Sequence, residues 1–170
     1  MVVWIIGLSG TGKSVLAKKV VDSLKLLHMP VVMLDGDIIR EIFGNSLGYS
    51  EGDRLISARR MCNLSKFLSE QGLIVICPFL SVFQESRQWC RTNIKKYYEV
   101  FVDTPIEILE KRDGKGLYSA YRRGEIRDVV GCDIVFQKPI SDLVIHNSGS
   151  LDELLSNSDY IVKHVQEICQ

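Results

Sequence analysis

The chain has 170 residues, of which 46% are hydrophobic and 25% charged, values that suit one globular domain spanning 1–170. A chain of this length buries roughly 70% of its unfolded surface. Lys+Arg and Asp+Glu both number 21, which excludes broad electrostatic attraction to nucleic acid or an anionic membrane and leaves any anion site local.

The first predicted strand is 2–6, the apolar run Val2-Val3-Trp4-Ile5-Ile6. Gly7-Leu8-Ser9-Gly10-Thr11-Gly12-Lys13-Ser14 follows and reads G-x-x-x-x-G-K-S, a phosphate-binding loop. Its small residues let backbone N–H groups curl around phosphate oxygens. Lys13 can reach the β/γ-phosphates of ATP, and the Ser14 hydroxyl can ligate Mg²⁺. A helix predicted over 13–27, with Leu16, Val20, Val21 and Leu24 at helical spacing, turns its positive end to the anion. Strand, glycine loop and helix stand in the order the motif demands.

A second strand, 30–34, ends in Asp35-Gly36-Asp37. Two acids at the carboxyl edge of a sheet can hold the hydration shell of Mg²⁺ and take a proton from a hydroxyl nucleophile. A helix over 37–43 carries Arg40. Ser50-x-x-Asp53 marks the start of a longer helix, 52–71, whose stripe Leu55, Ala58, Met61, Cys62, Leu64 and Leu68 is expected to be buried. Arg54 and Ser57 lie one turn apart on another face. Arginine suits a phosphate or sulfate through paired donors. Strands at 73–77, 98–102 and 142–146 and helices at 84–96, 105–111 and 158–168 complete the alternation. The expectation is an α/β fold with a mostly parallel five-stranded sheet and helices on both faces. The segment 112–140 holds Gly114, Gly116, Gly124 and Gly131 without a long periodic run, the pattern of a lid.

The five cysteines are odd in number and show no C-x-x-C spacing, so reduced thiols in a cytoplasmic protein are expected, and no disulfide framework or zinc site. The first residues lack a basic leader and cleavage site. The longest apolar run, Leu73 to Phe83, is interrupted by Pro78 and too short to span a bilayer. The three histidines are scattered and read as surface or strand-end residues. Trp4 reads as core, and Trp89 with Tyr97-Tyr98 as packing or a homodimer surface.

The combination of the phosphate loop, Leu34-Asp35-Gly36-Asp37 with Arg40, Leu47-Gly48-Tyr49-Ser50-Glu51-x-Asp53-Arg54, Phe79-Leu80-Ser81 and Arg112-Asp113-Gly114-Lys115-Gly116-Leu117-Tyr118 resembles the adenylylsulfate (APS) kinases, from Gly7 to about Asn147. The resemblance implies a P-loop kinase that uses ATP and Mg²⁺ to phosphorylate the ribose 3′-hydroxyl of a nucleotide. It implies that Asp37 activates that hydroxyl or holds Mg²⁺ through water, with Asp35 as its partner acid. Arg40 and Arg54 would grip the acceptor, and Tyr49 would replace a Phe that stacks on its base. Lys115, Gly116 and Leu117 match lid residues near the acceptor, and Arg112 would lie against the adenine of ATP. Ser81 occupies a position proposed to form a phosphoserine, although in-line transfer needs positioning and charge stabilisation rather than a protein nucleophile.

Departures from the family pattern gather around the acceptor. Ile38 replaces an Asn, Ser57 replaces an acceptor-binding Asn, and Val129 aligns with a second base-stacking Phe. Ile-Ser-Pro-Tyr-Arg reads Leu80-Ser81-Val82-Phe83-Gln84, and a lysine pair reads Ser119-Ala120. Losing one face of an aromatic sandwich removes about 1 kcal/mol or more of stacking. The acceptor is therefore expected to be APS or a variant such as cytidine diphosphoramidate, the substrate of a capsule-biosynthesis kinase that resembles APS kinases. The alternatives are a nucleoside monophosphate kinase, whose acceptor is a phosphate, and a silent nucleotide-binding regulatory module.

Overall fold

The computed structural model describes residues 1–169. Five strands, β1 (Val2–Ile6), β2 (Val31–Met33), β3 (Ile74–Phe79), β4 (Tyr97–Asp103) and β5 (Leu143–His146), form one parallel sheet in the order β2-β3-β1-β4-β5. The central strand, β1, is fully buried, as its unbroken apolar sequence requires of a strand covered on both faces. Each strand falls within two residues of its expected bounds.

The helices are α1 (Lys13–Leu26), α2 (Gly36–Ile42), α3 (Glu51–Glu70), α4 (Gln84–Asn93), α5 (Ile106–Arg112), α6 (Leu117–Arg122), α7 (Leu151–Ser156) and α8 (Ser158–Cys169). Alternate strand residues feed two cores. Val3, Ile5, Ile76, Val100 and Val102 pack with Leu16 and Val20 of α1, Leu154 of α7 and Ile161 and Val165 of α8. On the other face Val2, Trp4, Ile6, Cys77 and Phe101 pack with Met61 and Cys62 of α3 and Cys90 of α4. Trp4 is core, as expected, with its ring 5.8 Å from Phe79 and 6.0 Å from Tyr97. Trp89 packs partly against this core. All five cysteines are free thiols, three of them buried. No helix among the described residues is long and apolar enough to cross a membrane.

Several expectations need correction. Helix 84–96 stops at Asn93, because Ile94 is extended (φ −115, ψ 115) as the chain turns into β4. The buried face of α3 is Ala58, Met61, Cys62 and Ser65, while Leu55, Leu64 and Leu68 are only half covered. His164 is not a free surface residue; its ring stacks on Tyr98 at 3.8 Å. Segment 112–140 is more than a loop. It contains α6 and supplies Tyr118 and Val129 to a third core shared with Leu109 of α5, with Leu8 of the phosphate loop against it.

Candidate active site

Loops after β1, β2 and β3 leave the carboxyl edge of the sheet together, where ligands of such folds bind. Gly7 passes so close to β4 that a Cβ would lie 2.6 Å from the Val102 carbonyl oxygen. Gly12, just before α1, has left-handed φ 85, and any side chain there would run into Leu154 of α7. Buried Asn147, beyond β5, donates from Nδ2 to the Thr11 carbonyl at 3.0 Å. The loop is thus clamped from three sides before any ligand arrives.

Lys13 Nζ folds back on this loop, donating to the Leu8 carbonyl at 2.6 Å. Burial pushes its pKa down to about 8; nearby Lys115 adds to the fall, and Asp37 and Asp35 oppose it. A phosphate arriving here would meet a partly desolvated cation.

Asp35 is buried and caps α2, its Oδ1 accepting the Asp37 N–H at 2.9 Å. Its Oδ2 accepts the Ser14 hydroxyl at 2.6 Å. The sequence paired Ser14 with Asp37 as metal ligands; the structure joins Ser14 to Asp35. Asp37, two residues further, has its side chain 72% exposed and accepts Lys115 Nζ at 2.8 Å. The Ser14 hydroxyl and the carboxylates of Asp35 and Asp37 are hard oxygen donors of the kind Mg²⁺ takes, and the first two stand together. They are too few to enclose the ion, which fits a metal that shares its shell with water and phosphates.

On the far side of Asp37, Arg40 donates to the Leu47 and Gly48 carbonyls at 2.7 and 2.8 Å. Arg54 donates to the Tyr49 carbonyl at 2.8 Å and to the Asp128 carbonyl at 2.7 Å. The exposed Tyr49 ring lies 4.7 Å from the Arg40 guanidinium and 5.5 Å from that of Arg54. Burial, then the charge of Arg40, lowers the Arg54 pKa. Ser57 lies below this pair, beside a cavity of about 10 Å³ shared with Arg40 and Arg60, room for one water.

The lid reaches both halves. Tyr118 donates its hydroxyl to the Ser9 carbonyl at 2.9 Å, and Lys115 reaches Asp37. Gly116, left-handed at φ 66, precedes α6, and Leu117 is tucked into the lid core. Val129 is 2% exposed inside that core, so its side chain offers no open face to a base, contrary to the sequence expectation. Arg112 is exposed and donates to the Gly149 carbonyl at 2.8 Å. Ser81 is 1% exposed with its hydroxyl unpartnered.

Sequence reading missed Asn147, Leu154 and the Tyr118 hydroxyl. Asn147 and Thr11 are 136 residues apart, and no local pattern links them. A signal for α7 does exist in Ser150-x-x-Glu153, which forms a complete capping box.

A model of the adenylylsulphate kinase family matches residues 1–146. The chain belongs to the adenylylsulphate kinase family. It is 40% identical over 147 residues to a cytidine diphosphoramidate kinase of Campylobacter jejuni, a match covering 86% of each chain. It is 39% identical over 159 residues to an adenylyl-sulfate kinase of Shigella flexneri, covering 92% of this chain and 78% of that one. A Mycobacterium tuberculosis APS kinase solved with AMPPNP and APS superposes with a TM-score of 0.89 at 33% identity, over 97% of this chain and 96% of that one. This member of the family is a phosphotransferase.

Proposed function

We propose that the chain transfers the γ-phosphoryl group of ATP to the ribose 3′-hydroxyl of a small nucleotide. The observation that carries this reading is the Ser14–Asp35 hydrogen bond, which draws the acid turn to the phosphate loop and leaves Asp37 exposed near Lys13, paired with Lys115. Gly7, Ser9, Gly10, Thr11 and Gly12 cradle the phosphates, and Lys13 neutralises them. Ser14 and the two acids hold Mg²⁺, directly or through water. Asp37 orients the acceptor hydroxyl and takes its proton; Lys115 is its partner until the acceptor arrives. An exposed carboxylate with an exposed cationic partner is well suited to that exchange.

Arg40 and Arg54 neutralise the acceptor's phosphates, with Tyr49 under its base and Ser57 below. The lid, through Lys115, Gly116 and Leu117, excludes water that would otherwise hydrolyse ATP. Arg112 borders the nucleoside of ATP. The buried hydroxyl of Ser81 argues for direct in-line transfer without a phosphoserine.

For the acceptor we favour a cytidine diphosphate derivative of the diphosphoramidate type. One aromatic face, Tyr49, is available, and burial of Val129 removes the position where a second would stand. Such a half-clamp suits a pyrimidine better than a purine. The substrate of the Campylobacter relative fits the same reading. The test is transfer from radiolabelled ATP to cytidine diphosphoramidate and to APS in parallel, with the phosphorylated position read by NMR. Preference for APS overturns the choice of acceptor. Phosphate found on an acceptor phosphate, rather than on the 3′-oxygen, overturns the reaction class.

A further inference from the structure

Behind the site, on the sheet face covered by α3 and α4, lies a charged cluster to which phosphoryl transfer assigns no task. Glu99, in the middle of β4, is 1% exposed, and Arg87, in α4, is 5% exposed. Their neighbours on this face include Trp4, Cys90 and Phe101. Charges in such a layer are retained only when paired and hydrogen-bonded. Glu99 is well supplied. It accepts the Tyr97 hydroxyl at 2.9 Å and the Ser141 hydroxyl at 3.2 Å, with Arg91 at 3.7 Å and Arg87 Nε at 3.9 Å.

Arg87 has a second contact. Its Nη1 donates to the Ser81 carbonyl at 2.7 Å. Ser81 stands in the left-handed region at φ 50, where a residue with a side chain is strained and persists only if its surroundings hold it. Its own hydroxyl is buried without a partner, so the side chain supplies no such hold.

The location of this turn gives the contact meaning. Two residues earlier, Phe79 pairs in register with Ile6, the last residue before the phosphate loop. The Phe79 ring also packs on Gly36, where a Cβ would lie 2.8 Å from it. Gly36 separates the two acids of the β2 turn. The Ser81 turn thus leaves the sheet between the phosphate loop and the acid turn, and its exit direction fixes the end of the strand that separates them.

We propose that Arg87, locked by Glu99, is a positioning residue for phosphoryl transfer: it holds the Ser81 turn and thereby sets the acid turn against the phosphate loop. This rests on the kinase reading above, whichever nucleotide is the acceptor. The task calls for a guanidinium, because Nη1 must donate to the Ser81 carbonyl while the same charged head group stays within ion-pair range of Glu99, its Nε 3.9 Å away. A lysine ammonium lacks that fork.

Two variants test it in the full chain. Arg87→Lys keeps the charge and loses the fork. Arg87→Met combined with Glu99→Gln removes both charges and leaves none unpaired, so the fold is retained. Thermal melting, kcat and KM for each substrate, and amide exchange at Val82 and Phe83 are measured together. Both variants should lower kcat by about 10- to 100-fold, with KM for ATP within about twofold. Exchange at Val82 and Phe83 should quicken while that of β1 stays native. Native kcat in either variant overturns the proposal, as does a kcat that follows the melting temperature alone. If the native chain phosphorylates neither acceptor, the acceptor assignment fails, and the exchange measurement alone decides: unchanged exchange at Val82 and Phe83 refutes the hold.

Discussion

Asp37→Asn keeps the size of the side chain and an oxygen for Lys115, and removes the base. The two expected effects differ in scale. Loss of a general base slows turnover by about 10²- to 10⁴-fold, which is about 3–5 kcal/mol of transition-state stabilisation. The effect on folding is small. Both side chains of the Asp37–Lys115 pair are 72% exposed, and such a pair contributes at most about 1 kcal/mol. In a chain of this length that corresponds to about 2–4 °C in Tm. The hydrogen bond to Asp35 Oδ1 uses the Asp37 backbone N–H and survives the substitution. The assay is transfer from labelled ATP under saturating acceptor, with a thermal melt and a nucleotide-binding titration on the same preparation. Turnover within a fewfold of native would refute the role of Asp37 as base. A large fall in Tm would refute the claim that its pairing is a surface interaction.

Three further outcomes are expected. Because burial lowers Lys13 to about 8 in the free chain, its proton is fully bound only well below that pH and is lost as pH rises through it. KM for ATP should therefore begin to climb as the pH approaches 8 and go on climbing above it, and Lys13→Ala should abolish transfer; a flat profile into the alkaline range counts against this. Gly12→Ala introduces about 1–2 kcal/mol of backbone strain at φ 85 plus a collision with Leu154. It should weaken ATP binding, and a second change, Leu154→Ala, should relieve the collision but not the strain, as titration of both proteins will reveal. Val129→Phe overfills the lid core and should destabilise by about 1–3 kcal/mol; a native Tm together with new affinity for an adenine acceptor would mean that Val129 faces the base after all.

The elements with long periodic or unbroken apolar patterns were readable from the residues. The run Val2 to Ile6 and the glycine loop after it could form little else, and Ser50 and Asp53 mark the start of α3 by local hydrogen bonding. The two shortest helices, α6 and α7, were missed, whereas α2 and α5 fall within one residue of their expected bounds. The six residues of α6 follow a left-handed glycine, and the side chain that accepts the Tyr118 and Ser119 N–H groups is Asp113, outside the usual cap position. The chemistry-bearing residue types were legible, but their pairings were not. Ser14 lies 21 residues from Asp35, and the preference for Asp35 over Asp37 arises because Asp35 sits at the helix cap and turns inward while Asp37 lies in the first turn and points out. Val129 was misread for a related reason: alignment gives its position in the chain, whereas burial depends on Tyr118 and Leu109 closing over it.

The strand order also governs when the molecule becomes competent. β1 and β2 are consecutive in the chain yet do not pair; β2 bonds to β3, and β1 bonds to β3 and β4. A nascent chain ending before Ile74 therefore contains every atom of the phosphate loop and the acid turn, with neither strand paired in a sheet. Such non-local pairing must overcome loop-closure entropy before any contact rewards it. ATP can stabilise only the state to which it binds. Nucleotide binding thus reinforces the sheet after β3 has inserted and cannot help β3 find its place.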